Sequence, residues 1–424
     1  MDLKYNIKKS LPSMLLIAAV FVISTIASLV MKIPVSEITG NFNYSVIVIL
    51  IVMELFTCLI VETGIMQFLA TKLALLSKGN KKACMFLFGI MMFFISAFLN
   101  NITAVLMVLP VVFVLLKALN ADKKYITMFF SVILALSNTG GAASPIGDFP
   151  AIVIMTSGIT SFTGYLFKAF PLFLITSVIL LVFWSVFIKD KNDSKASRQL
   201  AVALLQSRYR NNKVRYDVLI PLGIVTLGMF VAWSVIPQDI LPPEMIAVIG
   251  YCVGIVISSI KGVRIKQSMD MESVLTISSF LFLATVVSAS GVLTTLAEFL
   301  QNSIPKPKVL LIVIMLITSL VSGFVSAGPA AAAMLPVIVN LCNTTLVAQS
   351  GWVAIAYAAS ICAGSSLFLW SATAGFILSS KIDGANLEYN NTKVGWGIKE
   401  YLKYGVVNYL IQMIIAIAWI VMVV

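Results

Sequence analysis

Ser137-Asn138-Thr139-Gly140-Gly141-Ala142-Ala143-Ser144-Pro145-Ile146-Gly147-Asp148-Phe149-Pro150 is the stretch whose reading decides the fold. Apolar sequence flanks it, from Met128 to Leu136 and from Ala151 to Met155. It holds three glycines, two prolines, an Asn, a Thr and an Asp. Gly loosens a helix and Pro deletes one of its hydrogen bonds, so no straight helix suits this composition. Lipid would forbid it as well, because every freed N–H and C=O must find a partner. Irregular backbone at membrane depth survives where it is buried in protein or lines a watery cavity, and many carriers bind ions in such broken helices.

Composition supports a membrane setting. The chain of 424 residues is 60% hydrophobic and 11% charged, with mean hydropathy +1.03. Soluble domains carry about 25% charged residues. Apolar runs of about 20 residues, enough to span a bilayer, recur along the whole length. The net charge of +12 does not imply nucleic acid, because the basic residues cluster in short connections: Lys189, Lys191, Lys195, Arg198, Arg208, Arg210, Lys213 and Arg215 form the largest group. That is the positive-inside pattern of a multi-pass protein of the cell membrane. With no histidine, histidine proton relays and His-ligated metals are excluded. Cys58, Cys84, Cys252, Cys342 and Cys362 are scattered and read as small apolar packers, with no metal or disulfide spacing. No cofactor fingerprint, nucleophile motif or Walker motif occurs, so an enzyme is not expected.

Lys4, Lys8 and Lys9 place the N-terminus in the cytoplasm, followed by a retained first span, Leu11–Met31. A second span from Tyr44, extended by Glu62–Leu76, reaches the basic loop of Lys78, Lys81 and Lys82. Ala83–Leu99 and Ile102–Leu116 then lead from that loop to a second one (Lys117, Lys123, Lys124), which puts Asn100-Asn101 at an apex. The short second limb carries Pro110, so a re-entrant hairpin over 100–118 fits better than a full span; two full spans are the alternative. The broken segment 125–157 crosses outward and Gly164–Ile188 returns. A basic cytoplasmic linker, 189–216, separates this half (1–188) from the second (217–424). There the expected order includes inward Met245–Ile260, outward Val274–Ala297, a hairpin at 326–346, a broken helix at 353–380 and a C-terminus outside.

The halves match in residues. Ser96, Phe98 and Pro110 recur as Ser322, Phe324 and Pro336 at one offset of 226 (322−96, 324−98, 336−110). Gly140 pairs with Gly364 at nearly that spacing. One copy enters from inside and the other from outside, which is the inverted repeat of alternating-access carriers. The expected fold is therefore an all-α polytopic membrane protein of about 11–12 segments with two re-entrant hairpins and two unwound helices.

Ser96-Ala97-Phe98-Leu99-Asn100-Asn101-Ile102-Thr103-Ala104-Val105 resembles the Ser-Ala-Phe-Leu-Asp-Asn-Val-Thr-Thr-Val signature of the ion transporter superfamily, which includes arsenite permeases, NhaD-type sodium/proton antiporters, citrate carriers and the melanosomal P protein. Asn138 to Pro150 is similar to that superfamily's Asn-Ile-Gly-Gly-Thr-Ala-Thr-Leu-Ile-Gly-Asp-Pro-Pro element. The resemblance implies a fold like the divalent-anion/sodium symporters. Carried over, Asn100, Asn101 and Thr103 form the first hairpin tip, and Asn138, Thr139, Gly140, Gly141 and Asp148 the first break. Ser326, Ala327 and Gly328 form the second tip, and Gly364, Ser365, Ser366, Ser371 and Thr373 the second break. Superfamily members form dimers, which extends the expectation to a homodimer. Three departures stand out. The hairpin Asp is Asn100 here, the second tip lacks the Asp-Asn pair, and the second break lacks the Asn-Gly pattern.

Sodium takes hard oxygen ligands, which carbonyls, amides and hydroxyls at Asn100, Asn101, Asn138 and Gly140 would supply. Half-helix N-termini would receive an anion. The bland readings compete: Asn100-Asn101 as interhelical hydrogen-bond glue, and Gly140-Gly141 as close packing. Asp148 is the leading intramembrane carboxylate; its alternative role is to cap the second half-helix. Glu54 and Glu62 lie eight apart on one helix face, with Glu54 deep enough to relay protons and Glu62 nearer the interface. Glu272 is expected to be solvated beside a basic loop, and Lys72 and Lys168 to snorkel to head groups. The leading functional expectation is a secondary carrier for a small inorganic or organic anion, coupled to sodium or protons. A tricarboxylate would call for a deep Arg or Lys. A sodium/proton antiporter is the runner-up, and a channel ranks below both.

Overall fold

A computed structural model describes residues 3–188, 203, 207, 213–263, 271–389 and 392–424. Most of the basic linker expected at 189–216, together with Arg264 and Lys266, lies outside the described residues. Among the described residues, eleven helices are long and apolar enough to cross a membrane. The first half comprises α1 (Leu3–Val30), α2 (Val35–Asn41), α3 (Tyr44–Val61), α4 (Ile65–Leu76), α5 (Lys81–Phe98), α6 (Asn101–Ala118), α7 (Lys123–Ala143), α8 (Phe149–Thr156) and α9 (Phe162–Val186). The second comprises α10 (Tyr216–Val235), α11 (Pro243–Ile260), α12 (Met271–Ala289), α13 (Val292–Ser303), α14 (Pro307–Val325), α15 (Ala327–Thr344), α16 (Ser350–Ser365), α17 (Gly375–Gly384) and α18 (Ile398–Val423). A two-residue strand pair, Glu388–Tyr389 with Thr392–Lys393, joins α17 to α18.

The repeat extends well beyond the residues that first suggested it. Helices α3 to α8 recur as α12 to α17, each starting 226 or 227 residues on (271−44, 292−65, 307−81, 327−101, 350−123, 375−149). Even the break after α3 is repeated. Gly64 and Gly291 both adopt positive φ, 80° and 76°, a conformation that ends a helix cheaply only at glycine. Glu62–Leu76 is therefore not an extension of the second span. A turn separates α3 from a distinct twelve-residue helix, α4, and the outward run Val274–Ala297 is interrupted at Gly291 in the same way. Helix α1 packs on α12 and α11 packs on α3, so each half lays a helix against the other.

Helices α7 and α16 form the axis of the molecule. Every residue of α7 from Tyr125 to Ala143 is buried, as is α16 from Val353 to Ser365. Screening from lipid is what helices that end at membrane depth require. The α5–α6 hairpin runs alongside α7. The Tyr125 hydroxyl donates to the Lys81 carbonyl at 2.8 Å, so α5 and α7 begin side by side. At the other end, the Ser144 hydroxyl donates to the Ala97 carbonyl. The hairpin tip thus stops level with the α7–α8 break, short of α8. In the second half, the Ala327 N–H at the α14–α15 tip donates to the Ser371 carbonyl at 3.2 Å, level with the α16–α17 break.

The first break is shorter than its composition suggests. Residues 137–143 stay helical, and the chain is irregular only over 144–148. Gly140 and Gly141 lie in the last turn of α7, where packing rather than unwinding explains them. A Cβ on Gly140 would strike the Phe93 backbone carbonyl, and one on Gly364 would strike the Ser319 carbonyl. Phe93 and Ser319 are themselves 226 apart (319−93), so the same close approach is built twice. Small residues that let backbones meet are the usual device for holding helices together where burial from lipid supplies no drive.

Gly140→Ala and Gly364→Ala are each expected to destabilise the detergent-purified protein by about 1–3 kcal/mol, the usual cost of forcing extra volume into a packed interior. Gly223→Ala, where a Cβ meets nothing within 4 Å, is the control. Equal melting temperatures for all three variants would contradict this account of the glycines.

Candidate functional site

The site is assembled where the first hairpin tip, the first break and the middle of α3 converge. Asn100 joins α5 to α6. Its side-chain oxygen accepts the Thr103 N–H at 3.1 Å and caps α6, while its own N–H donates to Thr57 Oγ1 at 3.3 Å and ties the tip to α3. Behind it, Asn101 Nδ2 donates to Asn138 Oδ1 at 3.4 Å. Asn138 Nδ2 donates in turn to the Ser365 carbonyl at 3.4 Å. This amide relay leads from the first hairpin tip through α7 to the end of α16, where the C-terminal ends of the two broken helices meet. Ser96 supports it, donating to Asn101 Oδ1 at 3.3 Å and lying 3.0 Å from the Ser137 hydroxyl.

Asp148 is placed both to cap a helix and to face a cavity. It is the N-cap of α8, with Oδ1 accepting the Phe149 N–H at 2.8 Å. It also lines a cavity of about 40 Å³ together with Glu54, Thr57, Asn100, Gly147 and Thr373. A water needs about 10–15 Å³ of such space, so the cavity holds one ion or a few waters. Ordinary small-molecule sites run to about 300–1,000 Å³. Two carboxylates, an amide and two hydroxyls therefore surround a volume of ionic size, and among the described residues no Lys or Arg lines it. These are hard oxygen donors, the set that suits sodium or a proton. Glu54 is buried.

A larger cavity of about 480 Å³ adjoins the first, lined by Glu272, Thr276, Ser326, Gly328 and Trp370 among others. Phe149, Ile277 and Thr373 line both. Glu272, expected to be solvated beside its loop, is half-buried and faces this space.

The remaining expected residues divide. Thr139 Oγ1 meets Ser177 Oγ at 2.7 Å and points at α9. Thr103 contributes its N–H to the Asn100 cap. Glu62 ends α3 two turns beyond Glu54 and lines neither cavity. In the second break the hydroxyls bond within the fold. Ser365 donates to the Cys362 carbonyl at 2.8 Å, and Ser366 accepts from Gln412 Nε2 at 2.9 Å. Ser371 Oγ accepts the Phe368 N–H at 3.1 Å and lies 2.7 Å from the Phe368 carbonyl and 3.0 Å from that of Ser365. Thr57 and Gln412 escaped the sequence reading. Both left a signal: Thr57 sits one helical turn from Glu54, and Gln412 is an amide deep in an apolar run.

The sequence model of a family described as citrate transporter matches residues 7–382. The chain belongs to the citrate transporter family. Its relatives include an uncharacterized transporter of Mycobacterium tuberculosis, 24% identical over 343 residues, covering 79% of this chain and 76% of that protein. The magnetosome protein MamN of Paramagnetospirillum magneticum is 23% identical over 373 residues, 87% of this chain and 82% of that protein. The P protein of Mus musculus is 29% identical over 163 residues, 36% of this chain and 19% of that protein. This citrate transporter family member is thus a multi-pass membrane transporter, and the superfamily resemblance of its two motifs holds.

Asn matches Asp as an N-cap, whereas Ala costs about 1 kcal/mol. Asp148→Asn should therefore leave thermal stability within about 0.5 kcal/mol of wild type, and Asp148→Ala should lower it by about 1 kcal/mol. The reverse order of melting temperatures would remove Asp148 from the capping role.

Proposed function

We propose that the protein is a secondary active carrier that couples sodium or protons, held in the Glu54–Asp148 cavity, to the movement of a small inorganic or organic anion. The observation that carries this reading is the convergence of two carboxylates from different elements, with the Asn100 amide and the Thr57 and Thr373 hydroxyls, on a cavity of ionic size. An uncoupled pore has no need of such a cage. The recurrence of α3–α8 as α12–α17 supports an inverted repeat. The two tips that end level with the breaks support re-entrant hairpins. On this reading the N-terminus is cytoplasmic, the C-terminus is external, and the repeats rock about the fixed amide relay between them. The cavity volume and the lack of a basic lining residue among the described residues argue against a tricarboxylate at this position.

Sodium/proton antiport is the second reading, favoured by one observation. Among the described residues, neither cavity has a Lys or Arg in its lining, so nothing there is built to neutralise an anion. Asp148 and Glu54 would then carry the exchanged ions in turn.

Proteoliposomes separate these readings. Carriage of an anion predicts that an inward sodium or proton gradient drives saturable uptake of a labelled anion from a panel of arsenite, dicarboxylates and citrate. Antiport predicts that sodium alone releases a preset internal proton load. Glu54→Gln and Asp148→Asn should each cut either flux at least tenfold. Flux that neither saturates nor responds to these two substitutions would sink both readings.

A further inference from the structure

We infer that the larger cavity is the access vestibule of the coupling cation, that Glu272 makes it cation-selective, and that Phe149 and Ile277 form the gate between it and the ion cavity. This rests on the reading of the smaller cavity as a cation site. The vestibule is roughly twelve times the volume of that cavity (about 480 against about 40 Å³), large enough for a hydrated ion to arrive without losing its shell. Among the described residues, Glu272 is the charged one in its lining. It stands in the first turn of α12. Thr276 lies one turn further along the same face and also lines the space. Clefts lined by one sign of charge between low-dielectric walls concentrate counter-ions.

The two cavities share three lining residues, Phe149, Ile277 and Thr373. Phe149 is the first residue of α8 and Ile277 lies on α12. Both lie against the second hairpin tip, since a Cβ on Gly328 would sit 3.5 Å from Phe149 Cδ1 and 3.4 Å from Ile277 Cγ1. Any shift of that tip therefore repacks the two apolar side chains that close the passage. Thr373 lines both cavities and brings one hydroxyl to the passage, a stepping point for an ion that has shed part of its water.

The test uses the full chain with its five cysteines (Cys58, Cys84, Cys252, Cys342, Cys362) replaced by Ser or Ala, reconstituted in vesicles. Single cysteines are introduced as Thr276→Cys in the vestibule and Thr57→Cys behind the gate. A cationic and an anionic methanethiosulfonate reagent are applied from each face. Thr276→Cys should react from one face only, and about 4–10-fold faster with the cationic reagent. Adding Glu272→Gln should bring that ratio close to one. Thr57→Cys should react at least tenfold more slowly, and Phe149→Ala should remove most of the difference. Equal rates for the two reagents, a ratio untouched by Glu272→Gln, or free labelling of Thr57→Cys with Phe149 in place would each overturn the inference. If the cysteine-free chain does not fold, the same question is put to the native chain. There Glu272→Gln should raise the half-saturating sodium concentration about 4–10-fold and leave the saturating flux unchanged; an unaltered half-saturation overturns the assignment of Glu272. The labelling needs no transport, so its failure is distinguishable from failure of coupling at Glu54 and Asp148.

Discussion

Two helices, α7 and α16, end buried inside this protein, and the backbone groups exposed by those ends must be satisfied there. Most of the architecture answers that demand. The last turns of α7 and α16 leave carbonyls that no intrahelical N–H can reach. Tyr165 donates to the Ala142 carbonyl at 2.8 Å and Tyr401 to that of Ser366 at 2.8 Å. Asn138 of one broken helix serves Ser365 of the other. The hairpins bring further partners to the same level: Ala97 accepts from Ser144, and Ala327 donates to Ser371. The tips thereby complete the hydrogen bonding that the breaks leave open.

The same demand explains how the two repeats diverge while keeping one scaffold. The packing features are duplicated, including Gly140 against Phe93, Gly364 against Ser319, and the positive-φ glycines after α3 and α12. The polar chemistry is not. In the first break the backbone is served from outside, by Tyr165 and by the Asp148 cap, and Asp148 still faces a cavity. In the second, a longer irregular stretch folds around Ser371, and α18 contributes Tyr401 and Gln412. Ser365, Ser366 and Ser371 then hydrogen-bond within the protein. The carboxylates gather on the side where the protein's own groups leave space.

The α7–α8 break was legible from Gly, Pro and Asp at fixed positions in an apolar run, because those residues act on the backbone they belong to. The hairpin apex at Asn100-Asn101 was legible from the basic loops on either side. Residues 137–143 were harder. Gly140 and Gly141 look like unwinding in sequence, yet they remain helical, with the Phe93 backbone of α5 packed against Gly140 and the Asp148 side chain against Gly141. Composition registers a glycine but not the backbone that faces it. The α3–α4 boundary at Gly64 was obscured for a related reason, since an apolar helix and an apolar turn differ little in hydropathy.

The sequence by itself determined that the chain is a broken-helix membrane protein in two similar halves, since hydropathy, charge bias and helix breakers act locally and sum along the chain. It also singled out Asn100, Asn138 and Asp148. Only the tertiary structure decided that Asp148 shares a cavity with Glu54 and Thr57, that Thr139 turns away to Ser177, and that Phe149 and Ile277 line two cavities at once. Those relations join residues about 40 to 130 positions apart, and only the packing of α3, α8, α9 and α12 around the hairpin tips brings them together.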